Sequence, residues 1–410
     1  MKVLVLNCGS SSVKAQLIET DLDLMEKGEE RTLARTSVER IGMSASIVKY
    51  RPAGKEPFQD TLEILEHRKA IDIILKLLSD KERGVIESVD EIQACGHRMV
   101  HGGEKFTAST IITPEVMAEI HECSELAPLH NPHNLRGYRA AREYLKDIPH
   151  AAVFDTAFHM TMEPRAYLYG LPYVFYKEKR IRRYGFHGTS HRYVSRRLAR
   201  RVGKPREEMK IVTCHLGNGA SMAAVDRGKS VDTTMGFTPL EGLLMGTRCG
   251  DMDPAVILYI MGKEELTLAE ANTLMNKHSG LYGISGVSHD MRELHKAAAG
   301  GNERARIALE VFAYRIKKYI GAYAAAMGGL DALVFTGGIG ENDDQARAMA
   351  LEGLDFLGIR LDPDRNRETA GGKEGPISTP DSRVQVWVIP TNEELVIARD
   401  TVKLVRGAKG

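Results

Sequence analysis

The stretch V-L-V-L-N-C-G-S-S-S-V-K-A-Q-L-I, from Val3 to Ile18, decides how the rest of the chain is read. Two aliphatic runs flank a polar turn, which predicts strands over Val3–Asn7 and Val13–Ile18 joined as a hairpin. A plain hairpin needs only glycine and one or two polar turn residues. This one carries the amide of Asn7, three serine hydroxyls and, inside the second run, Lys14. That is a surplus of donors at one hinge.

A weak repeat lies 208 positions further on. Cys8–Ala15 aligns with Leu216–Ala223, and both copies sit between an apolar strand and another strand. Either copy alone is a commonplace glycine turn. Two copies about half a chain apart favour a duplicated domain, whose hairpins, facing one another across a cleft, present backbone N–H groups and hydroxyls to one polyphosphate. Further strands are expected at Ile92–His97, Ala151–Phe154, Ile211–His215 and Leu333–Thr336. Helices are expected at Thr61–Leu78, Pro114–Leu126, Pro132–Leu145, Glu303–Ala326 and Glu393–Val405. Thr113-Pro114 and Asn131-Pro132 read as N-cap and first-turn proline. The alternation implies an α/β fold with helix-covered sheets. Arg51–Pro57 and Glu368–Thr379 read as surface loops.

Composition narrows the function classes. A chain of 410 residues fits two or three domains. With 56 basic against 55 acidic residues, charge offers no argument for nucleic acid or an anionic membrane. Apolar stretches such as Ala255–Met261 are too short to span a bilayer, and the N-terminal run lacks the length of a secretory signal. Five scattered cysteines point to reduced thiols and a cytoplasmic protein. Neither a P-loop nor a G-x-G-x-x-G pattern is present. His97/His101 and His187/His191 have i, i+4 spacing, which is more often packing than a metal pair, and no third ligand is marked.

Five clusters place Arg, His, Asp and Gly at element ends: His97–Gly103, Pro128–Pro132, Phe154–His159, Phe186–His191 and Gly246–Pro254. Arginines, an imidazole and a carboxylate beside glycine turns suit an anionic substrate and a transition state with dispersed negative charge. Phosphoryl transfer is the reaction that most needs such a set.

The chain resembles the acetate kinase family over nearly its whole length. The matching blocks are N-C-G-S-S-S-V-K from Asn7, H-R-M-V-H-G-G-E from His97, A-P-L-H-N-P from Ala127, F-D-T-A-F-H from Phe154 and Y-G-F-H-G-T-S-H from Tyr184. They continue with H-L-G-N-G-A-S from His215, M-G-T-R-C-G-D-M-D-P from Met245, F-T-G-G-I-G-E-N from Phe335 and P-T-N-E-E-L from Pro390. The resemblance implies two duplicated ribonuclease-H-like (actin-like ATPase) domains flanking a nucleotide cleft, one over residues 1–155 plus 393–410 on the acetate side and one over 156–392 on the nucleotide side. It implies reversible, direct in-line transfer of a phosphoryl group from ATP to acetate, with ADP and acetyl phosphate as products, Mg²⁺ or Mn²⁺ as the metal, and a homodimer.

The resemblance also implies roles for residues. Arg98 holds the substrate carboxylate; Arg248 and His187 stabilise the phosphoryl group in flight, with His130 close by. Asp155 is the family's acid/base residue, yet a carboxylic acid with a pKa near 4 is already ionised at pH 7, so orientation of Arg98 or a metal-bound water is the better expectation. Val100, Leu129, Phe186 and Pro239 match the acetate-methyl pocket, although from the residues alone ordinary core packing is the better reading of these four. ATP is expected against Ser10, Ser12 and Lys14, against His215, Leu216, Gly217, Asn218 and Gly219, against Asp290, Met291 and Arg292, and against Gly338, Ile339, Gly340, Glu341 and Asn342. Asn7 and Glu393 are the expected metal residues. Thr391-x-x-Glu394 reads as a capping box, which would occupy Glu394 and leave Glu393 to face the cleft. Cys8 and Cys249 stand beside the expected cleft, which raises oxidation sensitivity as a guess. The rival readings are a propionate-preferring kinase and a non-enzymatic actin-like nucleotide-binding module.

Overall fold

The computed structural model describes residues 1–127 and 130–407. The chain forms two compact units, Met1–Ala157 with Asn392–Gly410, and Phe158–Thr391.

The first unit is built on an eight-stranded sheet: β1 (Lys2–Cys8), β2 (Ser12–Glu19), β3 (Arg31–Glu39), β4 (Ser46–Pro52), β5 (Phe58–Leu62), β6 (Ala94–Met99), β7 (Thr110–Ile111) and β8 (His150–Phe154), in the order β5-β4-β3-β2-β1-β6-β8-β7. Why β1 is apolar without a break from Val3 to Leu6 now follows. Leu4, Leu6 and Cys8 pack on one face with residues of helices His67–Leu78 and Asn131–Tyr144. Val3 and Val5 pack on the other with Ile397, Ala398 and Val402 of the last helix, Glu393–Arg406. A strand covered on both faces has no need for alternation. Gly96 on β6 makes room for that last helix, since a Cβ there would lie 2.6 Å from Ile397 Cγ2 and from Thr401 Oγ1.

The second unit has six strands: β9 (Lys210–Leu216), β10 (Ala220–Asp226), β11 (Lys229–Thr233), β12 (Ala332–Thr336), β13 (Gly375–Pro376) and β14 (Gln385–Val388), in the order β11-β10-β9-β12-β14-β13. Helices Gly188–Val202 and Glu303–Met327 pack on it. The centre repeats the first sheet. β3-β2-β1-β6-β8 and β11-β10-β9-β12-β14 share one order, with the first three strands antiparallel and the next two parallel to the central one.

The hairpins align with one slip. Asn7 pairs with Lys14 and Cys8 with Val13, whereas His215 pairs with Ser221 and Leu216 with Ala220. The second turn is therefore one residue shorter, and the ungapped alignment fails at its second strand.

Other expectations change at element ends. The helix expected from Thr61 starts at His67, because Thr61 and Leu62 end the strand β5. Thr113 caps its helix as expected, accepting from Val116 N, with Pro114 in the first turn. Asn131 does not cap: His130 is the cap residue, and the Asn131 amide instead pins His101. Arg51 and Pro52 belong to β4, and Gly375–Pro376 forms β13 with Ile377 buried behind it, so neither segment is wholly a surface loop.

Candidate active site

In the first unit, Arg98 sits near the end of β6 and Asp155 directly follows β8, the neighbouring parallel strand. Asp155 is buried and grips Arg98 bidentately: Nε donates to Oδ1 at 3.1 Å and Nη2 to Oδ2 at 2.5 Å. Arg98 Nη1 donates to Asn7 Oδ1 at 3.4 Å, so the end of β1 joins the cluster. Burial alone would lower the Arg98 pKa, but the charges of Asp155 and Glu393 outweigh it and hold the guanidinium charged. Behind the cluster, Asn134 ties two strand ends together, accepting from Val100 N at 3.1 Å and donating to Cys8 O at 2.7 Å.

Glu393 opens the last helix. Its Oε1 is buried and has no hydrogen-bond partner among the described residues. Burial pushes its carboxyl up to about 7, against the pull of Arg98. An unpartnered carboxylate oxygen and an amide oxygen are hard donors of the kind Mg²⁺ takes, so Glu393 and Asn7 fit the expected metal. The capping box does not form. The N-cap is Asn392, whose Oδ1 accepts from Leu395 N at 3.1 Å, while Thr391 Oγ1 bonds Ser190 Oγ at 2.8 Å. The cap residue is thus one position later than the pattern suggests.

The first hairpin's Ser10 and Lys14 are exposed, and Ser12 is half-buried with its carbonyl accepting from Gly9 N at 2.8 Å. Val100 is buried and His130 half-buried. Leu129 lies outside the described residues. Cys8 is buried in the core with its thiol pushed up to about 12 by that burial, which corrects the guess that it is oxidation-prone. His97 and His101 lie on β6 and just beyond it rather than on a helix face, and His97 Nε2 bonds His150 Nδ1 at 2.8 Å.

In the second unit, Gly219 marks the point of convergence. A Cβ placed there would lie 3.4 Å from Arg248 Nη1, 3.7 Å from His187 Cε1 and 3.9 Å from His187 Nε2. Arg248 is aimed by Pro239 O, which accepts from Nη1 at 3.2 Å. His187 has a left-handed backbone (φ 55) at the start of helix Gly188–Val202, and its ring stacks on His215 at 4.2 Å between centroids. Its Nδ1 bonds Ser221 Oγ at 2.9 Å. His215 Nδ1 bonds Ser190 Oγ at 2.8 Å. Asn218 packs against Gly246, whose N donates to Asn218 O at 3.0 Å. Phe186 is buried, and its carbonyl meets His159 Nε2 at 3.0 Å.

Gly337 closes the far side. At φ +78 it needs glycine, and a Cβ would come within 2.7 Å of Leu216 O, so the turn after β12 lies on the second hairpin. Glu341 Oε1 accepts from Gly337 N at 2.9 Å, Thr336 Oγ1 at 3.3 Å and Thr391 N at 3.1 Å. It is a staple for this turn, while Gly338 is exposed, Ile339 is half-buried and Gly340 is buried against Cys214 and Leu216. Asn342 is tied to Gly338 O and Gly371 N. Asp290 caps helix Met291–Ala299 and binds Arg292, whose hydrogen bond holds its carboxyl down to about 2. Met291 is buried, which leaves its backbone but not its side chain for a ligand.

The residues that sequence reasoning passed over are the hydroxyls and the amide behind the reactive groups: Ser221, Thr213, Ser190 and Asn134. Their partners lie tens of residues away, and only the sheet register brings them together.

Two copies of one five-stranded order, each with a glycine hairpin at its centre, define a protein of duplicated ribonuclease-H-like units. The acetokinase family model matches residues 2–399. An acetate kinase of Halothermothrix orenii is 57% identical over 99% of this chain and 100% of its own length. The crystal structure of Porphyromonas gingivalis acetate kinase superposes with a TM-score of 0.93 at 49% identity, covering 98% of this chain and 99% of that one. A propionate kinase from Francisella tularensis follows at a TM-score of 0.90 and 38% identity, covering 98% and 99%. The chain belongs to the acetokinase family.

Proposed function

We propose that this chain transfers the γ-phosphoryl group of ATP to acetate, reversibly and by direct in-line displacement, giving ADP and acetyl phosphate. The observation that carries the reading, beyond family membership, is the convergence of Arg248 and His187 on Gly219 of the second phosphate hairpin. A guanidinium and an imidazole at one point suit the charge that develops on a phosphoryl group in transit. The first unit takes the carboxylate, with Arg98 as its ligand and Asp155 as the group that aims Arg98. Both Asp155 oxygens are engaged by that guanidinium, and acetate needs no base. The second unit takes the nucleotide against His215–Gly219, Asp290–Arg292 and Gly338–Asn342.

Mg²⁺, or Mn²⁺ in its place, is held by Glu393 and Asn7, a reading supported by the unpartnered Oε1. When bound it neutralises phosphate charge. The acetyl phosphate formed is an activated acyl donor suited to acetyl-CoA biosynthesis. Among the described residues no helix is long and apolar enough to cross a membrane; a cytoplasmic location rests on the scattered, unpaired cysteines. The homodimer draws support from exposed Leu171, Tyr173, Val174 and Phe175 in the second unit, and light scattering of the purified protein tests it.

A propionate-preferring kinase is not favoured, since the relatives at 53–57% identity are named acetate kinases. The non-enzymatic module loses its support with the family match. A coupled assay of ADP formation with formate, acetate, propionate and butyrate tests the assignment. The expected result is the highest kcat/KM with acetate; a higher value with propionate would overturn it.

A further inference from the structure

His187 does not end at Ser221. Three buried side chains continue from it in one hydrogen-bonded line. His187 Nδ1 meets Ser221 Oγ at 2.9 Å, the same Oγ meets His191 Nε2 at 2.8 Å, and His191 Nδ1 meets Thr213 Oγ1 at 2.7 Å. Thr213 Oγ1 has a further acceptor, the carbonyl of Ala223, at 3.5 Å. Ser221, His191 and Thr213 are fully buried. The line runs from helix Gly188–Val202 through β10 and β9, so the sheet itself fixes its geometry.

Ser221 Oγ has both of its described partners in this line, so its one hydrogen finds an acceptor only by going to one of the two rings, and the hydrogens then all run the same way. If they run inward from His187, every donor finds an acceptor. His187 Nδ1–H donates to Ser221, Ser221 O–H to His191 Nε2, His191 Nδ1–H to Thr213, and Thr213 O–H to the Ala223 carbonyl. That carbonyl has lone pairs and no hydrogen, which makes it a natural terminus for the inward direction. If they run outward, Thr213 donates to His191 Nδ1 and forgoes the carbonyl, and His187 Nδ1 accepts from Ser221.

We propose that Ser221, His191 and Thr213 are positioning residues that hold His187 as an imidazolium, its Nδ1–H donating into the line and its Nε2–H directed to the transferred phosphoryl group. His187 Nε2 lies on the side of Gly219 and Arg248. His215 on β9 stacks on the His187 ring and is tied through Ser190 to Thr391. His159 packs edge-on against His191 at 5.6 Å and spends its nitrogens on Ser230 and on Phe186 O. Arg248 Nη1 and His187 Nε2 both reach Gly219, and the phosphoryl group is the anion that lies against both. Burial, aided by His159 and His215, pushes the His191 pKa far down, so His191 stays neutral. Loss of the Nε2 proton would turn a lone pair toward the phosphoryl oxygens, so kcat falls as pH rises through the His187 pKa of the productive complex.

This inference rests on the placement of the phosphoryl group beside His187, and the two can fail separately. In the full-length protein labelled with ¹⁵N-histidine, His191 should show the neutral Nδ1–H tautomer across neutral pH, with His187 titrating while Nδ1 stays protonated. An Nε2–H tautomer at His191 overturns the proposal whatever the kinetics show. In pH–rate profiles, Ser221→Ala should lower kcat about tenfold to a hundredfold, the usual worth of a hydrogen bond to a charged group. It should also move the alkaline limb of kcat to lower pH and leave the KM values for ATP and acetate nearly unchanged. His191→Gln, whose amide sets an acceptor beside a donor, should recover much of the rate relative to His191→Phe. An unmoved alkaline limb in Ser221→Ala, or loss of thermal stability alone, also overturns it. Normal kcat in His187→Ala would instead refute the placement of the phosphoryl group and leave the tautomer result standing.

Discussion

Asp155 holds Arg98 with both carboxylate oxygens, Nε on Oδ1 and Nη2 on Oδ2, in a planar fork that leaves the guanidinium one orientation. The pair joins the ends of two neighbouring parallel strands, so the direction of Arg98 is set by the sheet. Asp155→Asn keeps the shape and loses one acceptor and the charge. It should lower kcat/KM for acetate by about a hundredfold, a typical consequence of misaligned positioning groups. The acid limb of the kcat profile should stay where it is. An acid-limb pKa that vanishes in the variant would restore a proton-transfer role to Asp155.

Arg248 should behave differently. If it meets charge that exists only in transit, Arg248→Ala lowers kcat and kcat/KM together by about a thousandfold, the scale of a lost transition-state donor, with both KM values nearly unchanged. Added guanidinium should restore part of the rate. A large rise in acetate KM at normal kcat would make it a ground-state ligand instead.

Glu393 and Glu394 are neighbours with unlike surroundings. Glu393→Gln should weaken Mg²⁺ activation and activity by orders of magnitude at a melting temperature near that of the parent, because its Oε1 has no hydrogen bond to lose. Glu394→Gln should remain active, its loss limited to some tenths of a kcal/mol of helix-dipole interaction. Asn392→Ala, which removes the cap, should cost about 1 kcal/mol in denaturant unfolding. If Thr391→Ala costs that much and Asn392→Ala nothing, the cap is misassigned.

His295 and Asp343 give a pH-dependent tie. His295 Nε2 lies 2.9 Å from Asp343 Oδ2, and that hydrogen bond raises the histidine pKa above its usual value against the opposing effect of burial. Because the folded pKa is the higher one, the stabilisation is complete below the unfolded value near 6.5 and is lost as pH rises through the folded value. His295→Gln should therefore destabilise most below pH 6 and least above pH 8. The tie joins helix Met291–Ala299 to the residue that follows the short helix Gly337–Asn342, so the KM for ATP should rise in the variant. A pH-independent difference in melting temperature would discard the tie.

Much of the fold was legible because its signals are local. The apolar runs of β1, β6, β8, β9 and β12 are strands covered on both faces, and these strands carry the site. β3 was missed although Ala34, Thr36 and Val38 alternate inward, because small and polar residues blur the pattern. The reactive groups were legible as Arg, His and Asp beside glycine. Their supports were not: Ser221 lies 34 residues from His187 and 30 from His191, and nothing local marks a serine that serves both. The capping box failed because an adjacent asparagine competes for the same role, and sequence spacing cannot say which of Thr391 and Asn392 has its side chain engaged elsewhere.

The shorter turn of the second hairpin leaves the strands of the two halves in step. Both turns close on an equivalent pair, Cys8 with Val13 and Leu216 with Ala220, so the missing residue is absorbed in the loop and the strand faces stay matched. Lys14 opposite Asn7 and Ser221 opposite His215 therefore stand at one strand position and differ in chemistry. A graft of Gly9–Ser12 in place of Gly217–Gly219 would leave Ser221 opposite His215 and alter only the backbone N–H groups that the loop presents. The halves kept their scaffold and lost interchangeability of parts, which frees each hairpin to diverge without dragging the other's chemistry along.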